Sequence, residues 1–201
     1  MVNFIYLASQ SPRRRQLLEQ LGVKYELLLP DKIEDAEALE SMRSNEAPAA
    51  YVKRVTALKL DAAMDRLMRR QLPLAPVLCA DTTVALGRLI YGKPEDAEDA
   101  QRMLHELSGV THRVLTAIAI QQDRQRFQAL STSRVSFDAM TDAQIQAYVA
   151  TGEPMGKAGA YAIQGRVAMH ITRIHGSYSG IMGLPLWETA SLLHAAGINI
   201  R

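Results

Sequence analysis

The first apolar block, residues 4–8, is continuous and short, the mark of a buried strand. The spacing then changes. Leu17, Leu18 and Leu21 recur at helical intervals, which predicts a helix over residues 12–21 closed by Gly22. Residues 25–29 read as a second strand. Residues 30–48 are polar, carry six acidic side chains and have no period, so they are expected to form a loop. Val52, Val55 and Leu58 restart the helical period in a long helix over 48–70. "PVLCADTTVAL" is an apolar strand opening onto a polar turn, and "VALGRLIYGKP" reads as a hairpin with Gly87-Arg88 at its tip.

Farther on, residues 97–106 are helical in pattern, and two long strands, 112–121 and 126–137, flank "QQDRQ". Thr141 is placed to cap a helix over 142–150. "GKAGAYAIQG" reads as a loop of small residues, 168–174 as a strand and "GSYSGIMG" as another loop. The last helix starts near Pro185 and stops before Gly197. Strands alternate with helices and some strands are hairpin neighbours, which predicts an α/β fold with a mixed sheet in one domain, 1–201.

Composition narrows the partners. Lysine and arginine total 23 against 21 acidic residues, a formal net charge of +2. That balance does not point to nucleic acid. The exception is local: Arg69 and Arg70 form a basic pair, the one feature in favour of a nucleic-acid binder. No apolar run approaches a membrane span, and the N-terminal apolar run is short and lacks a basic segment before it. Cys79 is the single cysteine, so no internal disulfide forms. These features predict a cytoplasmic protein. The five histidines lack metal-ligand spacing, and Trp187 is expected in the core with Leu192 and Leu193.

The stretch "SQSPRRRQ" runs against helix electrostatics. With Ser11 as N-cap and Pro12 first in the helix, Arg13 and Arg14 fall in the first turn and Arg15 just beyond. Each cation there opposes the macrodipole by about 0.3–1 kcal/mol. At 100° per residue Arg14 lies near the centre of the leucine stripe, with Arg13 and Arg15 on its flanks. A guanidinium pointing into protein needs a partner. Two partners are consistent with the sequence: a structural carboxylate for Arg14, or a phosphate that also meets the helix N–H groups. Arg15 can pair with Glu19 on the solvent side.

Other polar residues stand at informative places. Asp81 ends the apolar run 77–80, where open α/β sheets bind ligands. It suits Mg²⁺ or a proton from water, and equally a plain turn. Lys93 is fixed between Gly92 and Pro94. Lys59 borders the apolar face of the long helix. Glu34 and Asp35 in the acidic loop are natural metal ligands or solvated acids. Gln164 is an amide able to read a pyrimidine edge.

Together these stretches resemble the Maf family of nucleoside triphosphate pyrophosphatases. The resemblance rests on "LASQSPRR" at 7–14, "YVKRVTALK" at 51–59, "ADTTV" at 80–84, "GKP" at 92–94, "LSGVTHRVLTA" at 107–117, "KAGAYAIQG" at 157–165, "IHGSY" at 174–178 and "GLPL" at 183–186. It implies an elongated mixed-sheet α/β fold with a central cleft, similar to the inosine-triphosphate pyrophosphatase (Maf/Ham1) fold, in a family whose members are often homodimers. It implies hydrolysis of a nucleotide to its monophosphate and pyrophosphate with a divalent cation, Mg²⁺ or Mn²⁺. By this resemblance Asp81 is the proton acceptor and a metal ligand beside Glu34 and Asp35. Ser9, Arg14, Lys59 and Lys93 face the phosphates. Arg13, Thr82 and Gln164 occupy the base-selecting positions in the form found in the dTTP/UTP subfamily. The 7-methyl-GTP subfamily has an acidic residue at the place of Gln164. A nucleotide-sensing regulator of septum formation is the non-enzymatic alternative. The chain departs from the family pattern at Asp35, where Glu is usual, at Gly156, where Asp is usual, and at Ala162, where Gly is usual.

Overall fold

The computed structural model describes residues 4–31, 34, 38–198 and 200. Among the described residues seven strands form one mixed sheet. β1 (Ile5–Leu7) pairs in parallel with β2 (Tyr25–Leu27) and with β3 (Val77–Leu86). β3 turns through Gly87, whose φ of 58° suits the tight hairpin, into antiparallel β4 (Leu89–Tyr91). On the other edge of β3 lies β5 (Thr111–Gln122), followed by β6 (Gln125–Phe137) and β7 (Ile171–His175), all antiparallel.

The period of two along β3 divides its side chains between two layers. Cys79, Ala85 and their neighbours on β5 pack under α2 (Pro48–Arg69), whose buried stripe includes Val52, Val55, Leu60, Ala63 and Leu67. Leu78 and Ala80 pack on the opposite face with α1 (Pro12–Gln20) and α6 (Leu186–Ala195). Val84 continues that face into a third cluster with α3 (Ala97–Leu107), α4 (Asp142–Val149) and the segment around Tyr161. Asp96 caps α3, and Thr141 with Gln144 forms a capping box on α4.

Several sequence expectations are corrected. The strand predicted from residue 168 starts at Ile171, because Arg166–His170 closes into a 3-10 helix. "GSYSGIMG" is not all loop. It holds α5 (Tyr178–Met182), capped by the Ser177 hydroxyl, which accepts from Gly180 N at 2.9 Å, and ended by Gly183 at φ 113°. Trp187 is 78% exposed rather than core, since α6 turns Thr189 and Leu193 inward instead. The acidic segment contains a 3-10 turn, Ala38–Glu40. Arg15 does not take Glu19 as expected: Glu19 accepts from the Tyr25 hydroxyl at 2.8 Å.

The Arg69-Arg70 pair has internal partners. Arg69 reaches Asp31 at 3.1 Å and Glu34 at 2.7 Å, and Arg70 pairs with Asp31 and donates to Leu29 O at 2.9 Å. Behind them Arg66, 4% exposed, donates to Leu28 O at 2.8 Å and holds Glu34 as a fork. One end of α2 therefore holds Asp31 and Glu34, which removes the basis for a nucleic-acid reading of this pair.

His112 is buried, as expected of a structural histidine. Its Nε2 lies 2.8 Å from the Tyr161 hydroxyl, and its ring meets Phe137 edge-on. Burial lowers its pKa to about 4 from 6.5. The unfolded imidazole protonates first as pH falls, so this residue's stability contribution is present above pH 6.5 and lost down to about 4. Chemical denaturation across that range should show stability declining, and His112→Phe should flatten the slope.

Candidate active site

β5 occupies one edge of β3 over Val77–Ala85. The other edge is shared. β1 pairs only at Val77 and Leu78, and β4 only from Val84 to Leu86. Between them the β3 edge has no neighbouring strand among the described residues, and a cleft of about 640 Å³ opens there. Asp81 and Thr82 lie within this gap. Successive side chains point to opposite faces, so Asp81 turns toward α2 and Thr82 toward α1. The cleft thus receives groups from both layers, including Ser9, Arg14, Lys59, Asp81, Lys93 and Gln164. These residues are far apart along the chain, and the split edge brings them together.

On the α2 side, Lys59 Nζ lies 2.6 Å from Asp81 Oδ1 and 2.7 Å from Glu40 Oε1. Lys93 Nζ reaches the same Glu40 at 3.1 and 3.2 Å. Two lysines and two carboxylates therefore form one network. Asp81 is 7% exposed, and its Oδ2 has no partner among the described residues. Sequence reading misses Glu40, because it sits in an acidic stretch without period and only the fold selects it from its neighbours.

Among the described residues Arg14, on the α1 side, is held by neutral acceptors alone. Its Nε donates to Gly183 O at 2.8 Å, and its two terminal nitrogens donate to Ser9 Oγ at 3.2 Å and Thr82 Oγ1 at 3.3 Å. Among the described residues no carboxylate forms an ion pair with it, so the structural-carboxylate alternative is not met. The proton order beyond Thr82 follows from one fixed acceptor. Gly180 O must accept from Thr116 Oγ1, at 2.7 Å. Thr82 therefore donates to Thr116, at 2.9 Å, and its lone pair remains for Arg14. Burial lowers the Arg14 pKa, the charge of Asp81 opposes that shift, and Arg13 adds to it. Arg13 donates to Met182 O at 3.3 Å and is also lowered by burial. α1 has no acidic residue in its first turn, so its N-terminus is left positive.

A family model described as a Maf-like protein matches residues 4–196. The chain belongs to the Maf family. A relative from Albidiferax ferrireducens named dTTP/UTP pyrophosphatase is 68% identical over 200 residues, covering 100% of both chains. One of the same name from Cupriavidus metallidurans is 60% identical over 199 residues, 99% of this chain and 100% of that one. Among solved structures, the Staphylococcus aureus Ham1 protein aligns with 66% of this chain and 71% of its own, at 14% identity and a TM-score of 0.44.

In this Maf chain the remaining expected residues fall as follows. Gln164 is exposed at the cleft wall. Its loop is held by Glu153, which accepts from the Tyr148 hydroxyl at 2.8 Å and from Arg166 N at 3.1 Å. Beside it, a Cβ on Gly165 would lie 1.9 Å from Glu153 Oε1, so a larger residue there would push the Glu153 carboxylate aside. Thr82 is engaged in orienting Arg14. Glu34 lines the cleft, but Arg66 and Arg69 take both its oxygens and hold its pKa at about 2, so it offers no open oxygen as the expected metal ligand in this arrangement. Asp35 lies outside the described residues. Of the departures, Gly156 has φ 71°, a conformation glycine adopts freely, and Ala162 is buried without positive φ. Lys157, which sequence reading does not single out, also lines the cleft. Burial lowers its pKa, with Arg13 adding to the shift.

Gly159 couples two cleft walls. Its N–H donates to Gly92 O at 3.0 Å, next to Lys93, and its φ is 69°. An added Cβ would meet Val84 Cγ2 at 2.8 Å. Gly159→Ala should destabilise by about 1–3 kcal/mol from overpacking, beyond any backbone strain. Gly152→Ala, also at positive φ (72°) but facing open space, isolates the clash when the two melting temperatures are compared.

Proposed function

We propose that this protein hydrolyses dTTP and UTP to the nucleoside monophosphate and pyrophosphate. The observation that carries the reading is Arg14: a half-buried guanidinium without a carboxylate partner among the described residues, set at a positive helix end in the same cleft as a carboxylate. Such a site is arranged for a polyanion. The names of the full-length relatives support the same reaction and base class.

In the mechanism, Asp81 orients a water at the α-phosphorus and takes its proton. Arg14, Lys59 and Lys93 face the departing pyrophosphate, where negative charge grows as the bond breaks. Water supplies the new oxygen of the monophosphate, and pyrophosphate leaves with the electrons of the broken P–O bond. Ser9 and Thr82 keep Arg14 in place. Gln164 and Arg13 are the proposed base-selecting contacts, the amide matching the donor–acceptor edge of uracil or thymine.

A divalent cation, Mg²⁺ or Mn²⁺, is part of the proposal. Among the described residues no three histidine, cysteine or carboxylate side chains gather as a metal site. Asp81 nevertheless has a free hard oxygen, and one carboxylate with substrate phosphates is a usual Mg²⁺ environment. Bound beside Asp81, the ion would neutralise phosphate charge. Among the described residues no helix is long and apolar enough to cross a membrane. Action in the cytoplasm on the free nucleotide pool, as a homodimer, completes the proposal on the family resemblance.

With Mg²⁺, purified protein should release pyrophosphate rather than orthophosphate from dTTP and UTP. Asp81→Asn should lower kcat by roughly 10²–10⁴-fold, the usual worth of a general base, with the fold retained by circular dichroism. Orthophosphate as the primary product, or full activity in the Asp81→Asn variant, would refute the assignment. Turnover of 7-methyl-GTP in place of the pyrimidines would overturn the base class alone.

A further inference from the structure

Glu40 is a carboxylate in a place that the proposed function reserves for phosphate. Its Oε1 accepts from Lys59 at 2.7 Å and from Lys93 at 3.2 Å, and its Oε2 accepts from Lys93 at 3.1 Å. The backbone beneath it is firmly anchored. The Tyr51 hydroxyl donates to Glu40 O at 2.9 Å. Arg54 donates to Ser41 O at 2.9 Å and pairs with Glu46 at 2.6 Å. The side chain itself lies outside the sheet and remains 27% exposed in the cleft. Its main chain is thus held by contacts that do not involve the carboxylate.

Resting on the phosphate reading of Lys59 and Lys93, we propose that Glu40 is an internal counter-anion that a polyphosphate must displace and a monophosphate need not, so that it weakens the hold on the pyrophosphate product. The two ammonium groups already have charge-assisted partners. An incoming anion gains only the difference between its own contacts and those of Glu40. A triphosphate or pyrophosphate brings more charge and more acceptor oxygens than one carboxylate, and it wins the exchange. A monophosphate held by its one phosphate beside Asp81 leaves Glu40 seated. After bond cleavage the carboxylate returns to the lysines and competes with pyrophosphate for them, which speeds its release. Lys59 keeps Asp81 as a partner throughout, so the exchange does not strand a buried charge.

Burial disfavours ionisation of Glu40, but Lys59 and Lys93 outweigh this and lower its pKa, so the internal anion is charged at neutral pH.

The test is calorimetric titration of inorganic pyrophosphate and of thymidine monophosphate, without metal, into wild-type protein and the Glu40→Gln, Glu40→Asp and Lys93→Ala variants. Gln keeps the shape and loses the charge, and Asp is too short to bridge both lysines. Both Glu40 variants should bind pyrophosphate about tenfold more tightly, on the scale of one charge-assisted hydrogen bond, with monophosphate affinity nearly unchanged. Glu40→Gln should also show stronger inhibition by pyrophosphate during dTTP turnover. Unchanged or weaker pyrophosphate binding in both Glu40 variants, with Lys93→Ala weakened, overturns this inference and leaves the proposed function standing. Pyrophosphate binding that Lys93→Ala does not weaken overturns the phosphate reading and this inference together.

Discussion

A guanidinium fixed at the positive end of a helix, with carbonyl and hydroxyl groups to receive its protons, is the constraint around which this protein is organised. Arg14 donates to Gly183 O, Ser9 Oγ and Thr82 Oγ1 but has no counter-charge in contact among the described residues. Neutral acceptors remedy the loss of hydration without cancelling the field. The field therefore projects into the cleft. Each acceptor belongs to a different part of the fold: the segment after β1, the middle of β3 and the turn after α5. The sheet, both helical layers and the glycine at φ 113° in that turn must all be in place before the arginine is held.

The opposite wall follows a different rule. Lys59, Lys93, Asp81 and Glu40 neutralise one another, so this half is quiet until an anion arrives. In the proposed function a cation without a carboxylate partner among the described residues draws the ligand on one side, and an exchangeable network on the other decides what remains bound. The gap in pairing along β3 makes the combination geometrically available. A continuous strand on that edge would fill the cleft, and a wider gap would separate the two walls.

Much of this is readable from the chain alone. The alternation of strand and helix, the extent of α1 and α2, and the hairpin at Gly87 follow from apolar period and turn chemistry. The angle of Arg14 on the leucine stripe places it facing protein. Asp81 is expected at a strand end opening onto a turn, but β3 runs on to Leu86, and the site forms instead at a mid-strand gap in pairing. Two kinds of information are hidden. Glu40 and Arg66 act through partners far along the chain, and nothing local distinguishes Glu40 from the other acids or names the carboxylate that Arg66 holds. Short elements are the other loss. α5 has five residues, too few to display a period, and the 3-10 turn at Arg166–His170 has the composition of a strand start. Trp187 misleads because aromatic character predicts burial on average, whereas α6 selects Thr189 and Leu193 by angle.

In the proposed reaction the cleft directs water to the α-phosphorus, beside Asp81, with the pyrophosphate end held by the cations. Hydrolysis of dTTP in water enriched in heavy oxygen, with both products weighed by mass spectrometry, tests it directly. The heavy atom should appear in the thymidine monophosphate and not in the pyrophosphate. Label in the pyrophosphate would mean attack at the β-phosphorus, a reacting centre that this arrangement of Asp81 and the three cations does not serve.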